Sequence, residues 1–245
     1  MIAVVQGSTQ ALQSEVVAAL ATVVDPELDQ PITDLGFVRS IRIDPAGVTV
    51  HLRLPTSFCA PNFAYLMASD AVDALRRVPG VGVVSVLLDD HHDSDKINAG
   101  LAADAGYVGT FGSEAEQDLD ELRRIFQRKA HTAAMERSVM ALLRSTGTTV
   151  EQLPGLTLGQ LPGGPHTEAL LRRRAAIGLG IRPDDLVFVD DDGVPVPPEA
   201  VPARLRFAKA VRISVEGNAH FCRGLLATRY DNEPGGLITD TRRTT

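Results

Sequence analysis

Cys59 is the residue in this chain whose type and setting best suit it to chemistry. It lies in Leu54-Pro55-Thr56-Ser57-Phe58-Cys59-Ala60-Pro61, between the end of a predicted strand and the start of a predicted helix. Unpaired backbone N–H groups gather at a helix start, and the helix dipole there favours thiolate. Thiolate is the form that ligates metals and attacks electrophiles. The competing reading is a small buried hydrophobe, because free cysteine is among the most buried residue types. Upstream, Asp25 and Glu27 flank Pro26 in a loop. They are candidates to sit beside Cys59, to hold an iron ion or to set the thiol's protonation. The alternative for Asp25 is that it caps a turn.

Two further clusters carry ligand types. His91 and His92 fall in Asp89-Asp90-His91-His92-Asp93-Ser94-Asp95. Imidazoles beside carboxylates suit zinc or iron. An exposed polar linker has the same composition, and that is the first reading here. Glu216, His220 and Cys222 form the other cluster. On a helix Glu216 and His220 share a face; on a strand His220 and Cys222 do. The two geometries exclude one another, so an ordinary packed cysteine beside a hydrogen-bonded histidine competes with a metal role. His51 is the nearest base in sequence for a thiol enzyme built on Cys59. Strand alternation points it away from Val50 and Leu52.

Other classes lack their signatures. There is no P-loop, no G-x-S-x-G elbow, no G-x-G-x-x-G turn and no C-x-x-C pair. No Glu-x-x-His pair of the di-iron bundle type occurs either. A net charge of −7 argues against general nucleic-acid binding, which needs a basic surface. The run Arg172-Arg173-Arg174 reads as a solvated helix face. No apolar run approaches a membrane span, and the first residues do not read as a signal peptide. Two widely separated cysteines, Cys59 and Cys222, make no disulfide framework, so a reducing cytoplasm fits.

The elements that must position these residues are legible from periodicity. Leu12, Val16, Leu20 and Val23 share a helical face, which predicts a helix over 11–23 with Ser8 and Thr9 as caps. Asp25-Pro26 stops it. Alternation predicts a hairpin from Phe37–Ile43 and Val48–Leu54 around the turn 44–47. A helix over 62–77 and a β-branched strand over 81–88 follow. This order, helix-strand-strand-helix-strand, makes an α+β domain over 1–95. Residues 96–245 read as mainly helical. They contain a helix pair or one long interrupted helix over 114–145, a helix over 167–177, a small hairpin around 190–193, a helix over 204–211 and a frayed end.

The segment Asp25-Pro26-Glu27-Leu28-Asp29-Gln30-Pro31-Ile32-Thr33-Asp34-Leu35-Gly36-Phe37-Val38 is the most informative stretch. A D-P-E start followed by D-L-G-hydrophobic-V resembles the SufT/PaaD-like family of metal–sulfur cluster assembly domains. The eukaryotic MIP-eighteen-type factors are similar. The hairpin, the cysteine before the next helix (Cys59) and the closing strand all fall in the family's order. Pro55 stands where family members commonly carry Thr. The resemblance covers the N-terminal third and is silent beyond it.

The resemblance implies a cytoplasmic maturation factor rather than an enzyme, assisting assembly or delivery of iron or an iron–sulfur cluster near Cys59, Asp25 and Glu27. Implied partners are a client metalloprotein such as an oxygenase component, and other iron–sulfur assembly proteins. Protein-held clusters generally take about four ligands, mostly thiolates. Two cysteines in different regions therefore call for a homodimer, a partner's ligands or delivery without holding. The alternative is a metal-free adaptor or folding helper that binds its client through the helical region.

Overall fold

The computed structural model describes residues 2–115, 119–231 and 238–241. The chain divides into two compact units, Met1–Leu119 with Ala219–Thr245, and Asp120–Asn218. The fold class is α+β, as the sequence predicts. Among the described residues no helix is long and apolar enough to cross a membrane.

In the first unit, α1 (Ile2–Leu20) leads into a two-residue hairpin of β1 (Val24–Asp25) and β2 (Gln30–Pro31). Strands β3 (Val38–Asp44) and β4 (Gly47–Leu52) form the expected antiparallel hairpin. Helix α2 (Pro61–Arg76) then crosses over to β5 (Val83–Leu88), which pairs parallel with β4. A parallel pair needs such a crossover, because a tight turn cannot reverse the chain twice. Helices α3 (Ser94–Ala102) and α4 (Gly106–Phe111) follow, so this unit continues past residue 95. Val16, Leu20, Ile41, Val48, Val50, Leu52, Ala68, Leu75, Val86 and Leu88 bury into one core. The predicted stripe of α1 and the predicted alternation of the strands contribute to it, together with the buried face of α2. At the β3–β4 turn a side chain is excluded: a Cβ on Gly47 would lie 1.9 Å from the carbonyl oxygen of Val83.

Two boundaries differ from the sequence expectation. Helix α1 starts at Ile2, so residues 8 and 9 lie within it and do not cap it. Polar residues such as Ser and Thr tolerate a helix interior at a cost of about 0.5 kcal/mol each, too little to start or stop one. The end of the chain is not wholly frayed: β6 (Ile238–Thr241) pairs parallel with β3, giving a sheet of order β5-β4-β3-β6. Four residues in an edge strand are too few for periodicity to reveal.

In the second unit, α5 (Leu119–Thr146) is one continuous helix rather than a pair, and α6 (Pro165–Ala176) matches its prediction. The expected hairpin reduces to a single bridge between Val189 and Pro195. Helix α7 runs from Val201 to Arg229, far beyond the predicted 204–211. It passes through Gly217 and Gly224, and a glycine inside a helix costs only about 1 kcal/mol. Met135, Val139, Leu142, Leu153, Leu170, Phe188 and Leu205 build this unit's core. Arg174 is not on a solvated face. It is buried, and its Nε donates to the Gly180 carbonyl at 2.6 Å, satisfying the chain as it leaves α6.

His131 of α5 is buried with neither ring nitrogen hydrogen-bonded among the described residues. Burial pulls its imidazole down to about 4, and the guanidinium groups of Arg174, Arg204 and Arg173 act in the same direction. A depressed folded pKa contributes stability above the unfolded value of 6.5 that is lost as pH falls toward about 4. Thermal stability measured across that window is expected to decline on acidification in the wild type. His131→Leu is expected to remove this part of the decline; an unchanged profile in the variant contradicts the assignment.

Candidate functional site

The site is built by three loops at one end of the β4–β5 pair. The first is the D-P-E turn. Asp25 ends β1 and is buried, and its Oδ1 accepts the backbone N–H of Glu27 at 2.9 Å and of Leu28 at 2.8 Å. Pro26 has no N–H to compete. Leu28 and Ile32 bury beneath the turn. Asp25 thus caps a turn. Burial pushes its carboxyl up from 3.8 to about 6, against the two N–H groups that hold it down.

The second loop carries Cys59. It runs from the end of β4 at Leu52 to the start of α2 at Pro61. Cys59 is half-buried, and its Sγ lies 3.5 Å from the Thr56 hydroxyl in a hydrogen bond. Thr56 Oγ1 also accepts the Phe58 N–H. The cysteine therefore stands one residue ahead of the helix N-cap, Ala60, as its sequence position predicts.

The third loop follows β5 and holds His91 and His92. His92 is exposed, with its ring 6.0 Å from that of exposed Phe58. His91 is buried, which an exposed linker would not allow. Its Nδ1 accepts the Asp93 N–H at 3.1 Å, which places the proton on Nε2, and Nε2 donates to the Cys59 carbonyl at 2.8 Å. The His92 N–H donates to the Ser57 carbonyl at 2.9 Å. With both ring nitrogens engaged, His91 positions the Cys59 loop.

The end of α7 clasps these loops. Arg229 donates from Nη1 to the Leu54 carbonyl at 3.0 Å, from Nη2 to Ser57 Oγ at 3.0 Å, and from Nη2 also to the Asp90 carbonyl. Tyr230 donates its hydroxyl to Asp90 at 3.3 Å, and Arg223 reaches the Gln30 side chain. Leu226 packs over Gly36, whose φ of +76° lies in the left-handed region. Cys222 is half-buried on this stretch. Burial pushes its thiol up to about 11, and the negative charges of Asp25, Cys59 and Glu27 add to the shift.

The structure therefore brings Asp25, Glu27, Cys59 and Cys222 into one neighbourhood, with His91 behind Cys59. Among the described residues no three His, Cys, Asp or Glu side chains converge closely enough to hold an ion. His220 is exposed on α7, and the helix settles its geometry: it lies a turn from Glu216 and points away from Cys222. Glu216 is engaged by Arg212 and Arg137. His51 does not serve Cys59. Its Nδ1 lies 2.9 Å from Asp89, which also binds Arg39 at 3.0 Å, in an open pocket of about 560 Å³ lined by these groups with Ser40, Ser94 and Asn98.

Sequence reasoning missed the roles of His91 and Arg229 and the approach of Cys222 to Cys59. A signal for the first existed. Parallel neighbours β4 and β5 must deliver their following loops to the same sheet end, so residues after Leu88 meet residues after Leu52.

The N-terminal segment is similar in sequence to known proteins. Residues 13–88 match the family model described as iron-sulfur cluster assembly protein. An uncharacterized protein from Methanocaldococcus jannaschii is 32% identical over 87 residues, which are 35% of this chain and 90% of that protein. The chain belongs to the iron–sulfur cluster assembly protein family through this N-terminal segment. The iron-sulfur cluster carrier protein of Mycobacterium leprae is 39% identical over 97 residues, covering 38% of this chain and 25% of that protein. Its counterpart in Mycobacterium tuberculosis is 34% identical over 85 residues, covering 35% and 22%. The chain thus spans about a quarter of the length of these carrier proteins. No solved structure gives a significant match.

The raised Asp25 carboxyl sets a pH dependence. A raised folded pKa contributes stability below the unfolded value of 3.8 that is lost as pH rises through about 6. The amide of Asp25→Asn keeps an oxygen for both backbone N–H groups and carries no charge to bury. It is expected to raise stability at pH 7 by on the order of 2 kcal/mol and to match the wild type near pH 4. Equal denaturant midpoints for the two proteins at pH 7 contradict this.

Proposed function

We propose that the chain is a non-catalytic maturation factor that takes up iron or an iron–sulfur cluster at Cys59 and passes it to a client protein. The observation that carries this reading is the setting of Cys59. Its thiol is partly exposed while its loop is tied on both sides, by the His91 bond to its carbonyl and by the Arg229 clasp on Leu54 and Ser57. A fixed, reachable thiol suits a group that must accept and release a cargo. The mycobacterial relatives' name, iron-sulfur cluster carrier protein, points in the same direction.

The helical second unit would recognise the client, and a component of a multicomponent oxygenase is the class of client we favour. A cytoplasmic setting follows from free thiols that must stay reduced. A second reading has its own support. The lack of a converging three-ligand set among the described residues favours an adaptor that binds the client without metal.

Iron, zinc and acid-labile sulfide content, measured with a visible spectrum on anaerobically purified wild type and Cys59→Ser, separates the two. Iron with sulfide in the wild type, lost in the variant, is the expected result. Protein free of iron and sulfide in both would overturn the cargo reading in favour of the adaptor.

A further inference from the structure

The sequence separates Cys59 and Cys222 by most of the chain, yet the fold returns Cys222 to the site. Ala219, Cys222, Leu226 and Arg229 recur at spacings of three, four and three, which places them on one stripe of α7. That stripe meets the first unit's core and the loops of the site. Ala219 is fully buried in the first unit's core, Leu226 lies over Gly36 just past the D-P-E turn, and Arg229 binds the loop that carries Cys59. Arg223, the neighbour of Cys222, reaches Gln30 in the same turn region. Cys222 and Cys59 pack against the same apolar cluster, and each keeps part of its surface exposed.

We propose that Cys222 is the second sulfur ligand of the Cys59 site, so that this chain offers its iron–sulfur cargo two thiolates in cis. The inference rests on reading Cys59 as the cargo ligand and adds to it a residue outside the segment that matches the family. Thiolates are soft ligands suited to iron–sulfur clusters, which are commonly held by four cysteines. Two thiolates from this chain make half of such a set. The remaining positions on the cluster stay open to the ligands of the protein that gives or receives it. This accounts for the absence of a closed three-ligand group among the described residues. The carboxylates of Asp25 and Glu27 make the surroundings more negative still, and iron cations relieve that charge.

Two measurements test the pairing. The metal-free, reduced wild type is treated with dibromobimane, which becomes fluorescent as both arms alkylate a pair of neighbouring thiols within one chain. Fluorescence on the monomeric chain that is lost in both Cys59→Ser and Cys222→Ser is expected; a non-fluorescent wild type overturns the proposal. Because this arm is read on the wild type, a poorly folding variant does not spoil it. The second arm reconstitutes each protein anaerobically with ferrous iron and sulfide and follows iron retention against a chelator. Cys222→Ser, checked for wild-type circular dichroism, is expected to lose about tenfold or more in retention, the scale of loss seen when the ligand environment of a metal is damaged. If Cys59→Ser loses iron while Cys222→Ser retains it as the wild type does, the second ligand is wrong and the Cys59 reading stands. If the wild type itself retains neither iron nor sulfide, the cargo reading falls and this inference falls with it.

Discussion

The parallel pairing of β4 with β5 is the constraint on which the site depends. It requires the α2 crossover, and α2 in turn requires a loop between Leu52 and Pro61, where Cys59 sits. The same pairing brings the chain after Leu88 to the same sheet end, so His91 meets the Cys59 carbonyl. A cysteine ahead of a helix is common. A cysteine whose backbone is held by a buried histidine of fixed tautomer is a specific arrangement, and it follows from the register that sets Leu52 beside Leu88.

Asp25 shows a tension between stability and site. Its carboxylate is well used as a turn cap, but burial leaves its charge costly near neutral pH. Asparagine would cap as well at lower cost. A residue that breaks a local rule without a structural gain is most often explained by what the site must do. Together with the Cys222 thiol, which also resists ionisation, it gives the region a latent negative charge suited to a cation.

Much of the first unit was legible in the sequence because its signals are local. The stripe of α1, the alternation of β3 and β4, the length of α2 and the β-branched β5 each stand in one short window. The D-P-E turn and Cys59 were legible through their resemblance to a family. What was not legible depends on distance along the chain. The buried state of His91 and Arg174 is set by carbonyls they meet only after folding. The clasp by Arg229 and the return of Cys222 need a helix that continues far past residue 211, through two glycines that weaken its local signal. The parallel strand β6 joins β3 from the far end of the chain, which no window of sequence contains.

A cargo held at Cys59 must be one that the chain gives up to another protein. The decisive measurement is transfer. The chain is reconstituted anaerobically with ferrous iron and sulfide, freed of excess by desalting, and mixed with a metal-free ferredoxin whose circular dichroism reports its own cluster. The wild type is expected to fill the ferredoxin, and Cys59→Ser, treated identically, is expected not to. Equal filling by the two proteins would contradict a cargo held at Cys59.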